Sequence, residues 1–232
     1  TQAIGDYSHA EGYLTIASGS YSHAEGRDTI ALGEYSHAEG INTTASGSFS
    51  HAEGDGTIAL GDYSHAEGNT TQAIGDYSHA EGYLTIASGS YSHAEGYSTE
   101  AIGQSSHAEG QTTQAIGDYS HAEGRSTIAL GSWSHAGGRI TIASGSFQTV
   151  VGQNNTHGDT TSLFIVGGGL GAAPLDAFKV THSSSILIPQ TQSADSGPTW
   201  TGRDGEIIPG VKGGNYYLYM WMNGAWRSSS FS

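Results

Sequence analysis

The sequence predicts an all-β fold, a β-solenoid of 14-residue coils followed by a small β-rich C-terminal tip. Three observations carry this. First, SHAEG recurs from residues 8–12 to 120–124, with SHAGG at 134–138, so His9, His23, His37, His51, His65, His79, His93, His107, His121 and His135 fall 14 residues apart. Second, the aligned unit T-x-A-x-G-x-aromatic-S-H-A-E-G-x-x alternates with period two in both halves, as strands do and helices do not. Third, 36 glycines, 12% charged residues and an apolar fraction rich in alanine cannot fill a broad core of large side chains.

Each coil divides into two strands and two tight turns. In the first strand Thr15, Ala17 and Gly19 share one face, while Ile16 and Ser18 share the other. In the second, Ser22, Ala24 and Gly26 oppose Tyr21, His23 and Glu25. Coils stacked about 4.8 Å apart let each strand hydrogen-bond to the next coil, and roughly eleven of them give a rod on the order of 50 Å long. The small residues face inward, and their Ser and Thr hydroxyls are expected to bond along the stack. Residues 1–26 and 71–96 are identical, which indicates copying of whole units.

The outward positions of the first strand form an aliphatic stripe: Ile16, Ile30, Leu32, Ile58, Leu60, Ile74, Ile86, Ile102, Ile116, Ile128, Leu130 and Ile142. A stripe of this length marks an interface. Burying each side chain contributes roughly 1.5–3 kcal/mol, which the thin interior cannot supply. An oligomer is therefore expected.

Charge restricts the partners. Residues 1–145 hold 17 acids against Arg27, Arg125 and Arg139, within a net charge of −15 for the chain. An acidic rod repels phosphate backbones, so no nucleic acid is expected as a partner. No segment approaches the roughly 18 apolar residues that span a bilayer, so no membrane insertion is expected. Cysteine is absent, and disulfides cannot report the compartment. The chain opens at Thr1 already in register with the repeat, which suggests a piece of something longer.

The pattern Ala31-Leu32-Gly33…Ser36-His37-Ala38-Glu39-Gly40 resembles the YadA-type heads of trimeric autotransporter adhesins, over residues 1–152. The resemblance implies a left-handed parallel β-roll in a homotrimer, with the aliphatic stripe at the three-fold axis as the trimer interface. No coiled-coil heptads follow the head. The SHAEG form, followed by Phe147-Gln148-Thr149-Val150-Val151-Gly152, Leu163-Phe164-Ile165-Val166-Gly167 and Asp176-Ala177-Phe178-Lys179-Val180, is similar to phage tail fibres. That similarity implies a virion tail fibre outside the cell, with other fibre or tail proteins and a host-surface glycan or protein as partners. The alternative is a bacterial surface adhesin head. A glycan-cleaving tailspike fits less well, because the repeats offer no pair of carboxylates set in a groove.

Beyond the head, residues 153–188 read as a capping and transition region with strands at 163–166, 177–180 and 186–188. Val150 and Val151 read as an apolar plug ending the stack. Residues 189–232 form the tip. Pro189, Pro198 and Pro209 suggest an ordered loop or linker over 189–215, and residues 216–222, Asn223-Gly224 and 225–227 predict a hairpin with a two-residue turn. Its Tyr216, Tyr217, Tyr219, Trp221 and Trp226 suit assembly at the tip, or alternatively receptor binding.

Ser-His-Glu in sequence invites a catalytic reading, but alternation puts Ser22 and His23 on opposite faces, and a triad needs one preorganised constellation rather than ten. No catalytic residue, cofactor or enzymatic activity is expected. The imidazole ladder, with His23, His37, His51 and His65 as weak metal candidates, offers parallel rather than convergent ligands, so no specific metal site is expected. Acidic surroundings should raise the histidine pKa and make the rod firmest mildly below neutrality. The ladder Tyr7, Tyr21, Tyr35, Phe49, Tyr63, Tyr77, Tyr91, Tyr119, Trp133 and Phe147 suits stacking at a corner or between subunits, or alternatively sugar stacking.

Overall fold

The computed structural model describes residues 1–170 and 173–182 in full, together with the backbone of strands at 186–187, 207–212, 215–222 and 225–231. It is an all-β parallel solenoid. Each coil contributes a short strand such as Ile16–Ala17 and a long one such as His23–Arg27. The short strands form an 11-stranded sheet from Gln2–Ala3 to Ile142–Ala143. The long strands open a 14-stranded sheet at His9–Tyr13. Pairing keeps register throughout, with His23 opposite His37, Ala24 opposite Ala38 and Glu25 opposite Glu39.

Period-two alternation places the core as expected. Ala17, Ala24 and Thr15 are fully buried and Ser22 nearly so, as are their equivalents in later coils. The hydroxyls behave differently from expectation. Ser22 Oγ donates to the Gly19 carbonyl at 2.6 Å and Ser36 Oγ to that of Gly33 at 2.7 Å, so the bond stays within the coil. Thr127 Oγ1 likewise turns back to the Glu123 carbonyl at 3.1 Å. Backbone ladders already bind the coils to one another, while Thr15 Oγ1 and its equivalents to Thr113, with Ser78 Oγ and its equivalents to Ser134, have no hydrogen-bond partner.

Glycine is needed along the stack more than between the sheets. A Cβ at Gly19 would collide with the Gly33 carbonyl oxygen of the next coil. At Gly26 the same collision occurs with Gly40, and φ is +112° besides, a conformation reserved for glycine.

The far end departs from the expected plug. Val150 is buried, but Ile165 lies opposite it on a further parallel strand, Ser162–Gly168, so the stack continues for another turn. Asp176–Thr181 then pairs antiparallel and ends the parallel run. What closes the short-strand sheet is a pair of buried amides at positions where the repeat holds Ser and Thr. Asn155 Oδ1 accepts from Ile142 N at 2.8 Å while its Nδ2 donates to Ile142 O at 3.0 Å, reproducing a missing strand. Gln148 Oε1 accepts from Ser144 N at 2.7 Å, and its Nε2 donates to the Asp159 and Ser162 carbonyls at 2.8 Å.

The tip holds a three-stranded antiparallel sheet of Ile207–Lys212, Asn215–Met222 and Ala225–Phe231. Met222 opposite Ala225 fits the predicted hairpin, whose turn residues Asn223 and Gly224 lie outside the described residues. Residues 207–212 are a strand and not the expected linker. Pro209 misled the reading, since proline is tolerated on an edge strand, and this strand is one. The rest of that linker, including Pro189 and Pro198, lies outside the described residues.

Candidate functional site

The outward face of the long-strand sheet carries two parallel files of ionisable groups. In-register pairing stacks the imidazoles: His37 and His51 have centroids 4.8 Å apart and planes within 4°. Beside them runs a single file of nine glutamates, Glu11 to Glu123 in steps of 14. Gly137 ends the file where the tenth would stand. The glutamates from Glu11 to Glu95 and the glycines that follow them line an open groove. The carboxylates stand in one file, and none faces another across the groove.

The two files interlock. His65 Nε2 lies 4.0 Å from Glu53 of the preceding coil and 3.9 Å from Glu67 of its own. The separation tightens along the rod to 3.2 Å between His135 and Glu123. These Nε2 atoms are buried although the rings are only half-covered, and from His23 to His121 none has a hydrogen-bond partner. Eight successive Glu–His–Glu groups, beginning with Glu11–His23–Glu25, bring their ligand atoms within 4.8 Å of one another. The ladder therefore converges where parallel ligands were expected. The weak metal candidates His23, His37, His51 and His65 all belong to such groups.

Electrostatics reverse the expected histidine shift. The pKa values of His37, His65 and His93 are lowered, first by burial and then by the neighbouring imidazoles above and below. The glutamates share protons down the file. Glu53 and Glu81 are pushed up to about 7, foremost by hydrogen bonding to Glu67. Glu67 is correspondingly lowered, first through Glu81 and then through Glu53. Stacked carboxylates resist ionising together at this spacing, so raised and lowered groups alternate from Glu53 to Glu95.

Serine takes no part in this face. Ser22, Ser36 and their equivalents are buried on the opposite side of the sheet, and the hydroxyls of Ser22, Ser36, Ser50 and Ser64 are engaged by glycine carbonyls.

The YadA head domain repeat family matches residues 10–36, 38–64 and 108–134, each match spanning two copies. The parallel solenoid of 14-residue coils is consistent with YadA-type head repeats. YadA-type heads are extracellular surface elements with an adhesin-like structural role. No curated protein matches the chain.

On the YadA-type rod the aliphatic stripe lies on the outside of the short-strand sheet. Ile16, Ile30, Ile58, Ile86, Ile116, Ile128 and Ile142 are half-buried, whereas Leu32, Leu60, Ile74, Ile102 and Leu130 are exposed, Leu32 by 47%. Ile16 stands opposite Ile30, and Ile128 opposite Ile142. The aromatic file runs along a corner, stacked at 4.7–5.0 Å from Tyr7 to Tyr91. Ser105 interrupts it, and Tyr119, Trp133 and Phe147 resume it. The receptor-binding candidates Tyr216, Tyr217, Tyr219, Trp221 and Trp226 lie on the two hairpin strands of the tip, and their side chains fall outside the description.

Sequence reasoning missed the buried amides Gln148 and Asn155, although their positions in the 14-residue frame could have revealed them. It also missed an ion cluster in which Lys179 Nζ lies 2.9 Å from Asp159 and 2.6 Å from Asp176, for which the sequence gives no signal.

Proposed function

We propose that this chain is a non-enzymatic structural segment of a homotrimeric phage tail fibre. The solenoid serves as a rigid spacer and the C-terminal sheet as the end that recognises a host-surface glycan or protein. The observation that carries the reading is the aliphatic file on an in-register rod, exposed at Leu32, Leu60, Ile74, Ile102 and Leu130. A rod whose interior is alanine, serine and threonine gains its large-side-chain burial only by pairing that file with other copies. The sequence segments that follow the last repeat favour the fibre setting. The YadA head match favours a second reading, the head of a bacterial trimeric surface adhesin. Phage tail genes beside the coding sequence would support the first, and a membrane anchor further along the same chain the second.

Recognition is tested by comparing the intact chain with one ending at residue 188, on a glycan array and on host cells. Binding confined to the intact chain supports the tip as the recognition end. Equal binding by both assigns recognition to the rod.

A further inference from the structure

We propose that the histidine–glutamate face is a linear array of divalent transition-metal sites, each formed by one imidazole and two glutamates of successive coils, holding one ion for every two coils. This goes beyond a spacer or adhesin role.

In each group a histidine Nε2 sits between the carboxylate of its own coil and that of the coil before, at N···O separations of 3.3–4.0 Å where these are closest. Nitrogen and oxygen ligands bonded to one first-row cation at about 2.0–2.2 Å stand at such separations from each other after small side-chain rotations. Eight Nε2 atoms, from His23 to His121, are buried without a hydrogen bond, with a glutamate carboxylate as close as 3.3 Å at His121. A buried polar atom without a partner is unusual in a folded protein, and a metal ion would satisfy it. Two carboxylates and one imidazole suit Zn²⁺, Co²⁺ or Ni²⁺, and the open groove leaves room for water to complete the coordination.

Charge fixes the stoichiometry. Neighbouring groups share a glutamate: Glu25 belongs both to Glu11–His23–Glu25 and to Glu25–His37–Glu39. A divalent ion is neutralised by two whole carboxylates, and ions in adjacent groups would repel across one coil spacing while halving their ligands. Occupied groups therefore use each glutamate once. Nine glutamates in file provide four separate adjacent pairs, hence four ions per chain.

This pairing yields a parity rule. Glu25→Gln, Glu53→Gln, Glu81→Gln or Glu109→Gln divides the file into two odd runs and leaves three pairs. Glu39→Gln, Glu67→Gln or Glu95→Gln divides it into two even runs and leaves four. Gly137→Glu adds a tenth carboxylate beside His135. Its Cβ would meet only the flexible end of Glu123, at 2.9 Å, and the His135 ring at 3.3 Å. The file then provides five pairs.

The test is Zn²⁺ bound at saturation by the full chain after chelator treatment, measured by equilibrium dialysis and metal analysis. Co²⁺ absorption bands serve as a second readout of ligation, and circular dichroism verifies folding. The expected result is four ions for the parent, three for Glu25→Gln, four for Glu39→Gln and five for Gly137→Glu. Should Glu25→Gln fail to fold, Glu53→Gln and Glu109→Gln carry the same expectation. Absence of Zn²⁺ binding overturns the proposal. So does adventitious binding that follows the histidine count, with the same stoichiometry in all four proteins.

Discussion

Two positions in each coil adopt a left-handed backbone and, apart from Gly56, are held by residues other than glycine. Tyr21 has φ +59° and Asp28 φ +56°, and their equivalents repeat along the rod. Tyr21 is the third residue of a turn closed by Ser22 N donating to Gly19 O at 3.2 Å, a place where glycine or asparagine is usual. The conformation costs about 1–2 kcal/mol per residue. Stacking on both neighbours, at about 0.5–1.5 kcal/mol per contact, offsets it. Ser105 has the strained backbone, φ +53°, without the stack. Ser105→Tyr should therefore join Tyr91 to Tyr119 and raise stability by about 1–3 kcal/mol in urea unfolding. An unchanged midpoint would mean that the exposed stacks contribute nothing. Which side chains point inward was legible because alternation is a property of strands. The turn conformation was not, because an aromatic residue stands where turn rules expect glycine. At the glutamate file, similarly, the sequence showed the two columns but not their convergence, which depends on how each imidazole turns towards the coil before it.

At the scale of the elements, the repeat explains the middle of the rod and says little about its end. An unfinished short-strand sheet leaves backbone groups open, and Asn155 and Gln148 close it with side-chain amides. Asn155→Ala should orphan both the N–H and the carbonyl of Ile142, at about 1–3 kcal/mol for each group left unsatisfied. Hydrogen exchange at Ile142 would report the opening directly. Beyond this cap, Asp159 accepts hydrogen bonds from Thr161 and Ser162 and is paired with Lys179. Burial opposes its charge, but the bonds from Lys179, Ser162 and Thr161 outweigh it, and its pKa is lowered well below the ordinary 3.8. As pH falls through that ordinary value the unfolded chain takes up the proton first. The contribution is therefore whole above it and is lost progressively below. Asp159→Asn should melt lower than the parent at neutral pH, and the gap should narrow on acidification to about pH 2. A gap constant with pH would show that the cluster acts by packing alone. The sequence could not announce this cluster, because Asp159, Asp176 and Lys179 belong to no repeat and meet only through the antiparallel return of the last strands.

At the scale of the whole molecule, the question is how so thin a rod stays folded. Its interior is alanine, threonine and serine, and the larger aliphatic side chains that follow the repeat lie half-buried or exposed on the short-strand side. Backbone ladders fix the register but add modestly to net stability, since water satisfies the same groups in the unfolded chain. What remains to be gained is apolar burial at roughly 1.5–3 kcal/mol for each large side chain fully removed from water, and the stripe recurs along nearly the whole rod. Association through that stripe is the arrangement that gains most. It leaves the glutamate and histidine files facing water, where their charge costs least. The expected outcome is a trimer in sedimentation at low micromolar concentration. Leu32→Glu, Leu60→Glu and Leu130→Glu combined should shift it to smaller species that melt at lower temperature, because three exposed contacts become buried unpaired charges in the assembly. The same substitutions on the long-strand face, at the exposed Tyr83 and Tyr97, should leave the assembly intact. A parent chain that sediments as a folded monomer would remove the three-fold reading, and the rod would then have to draw its stability from backbone pairing and aromatic stacking alone.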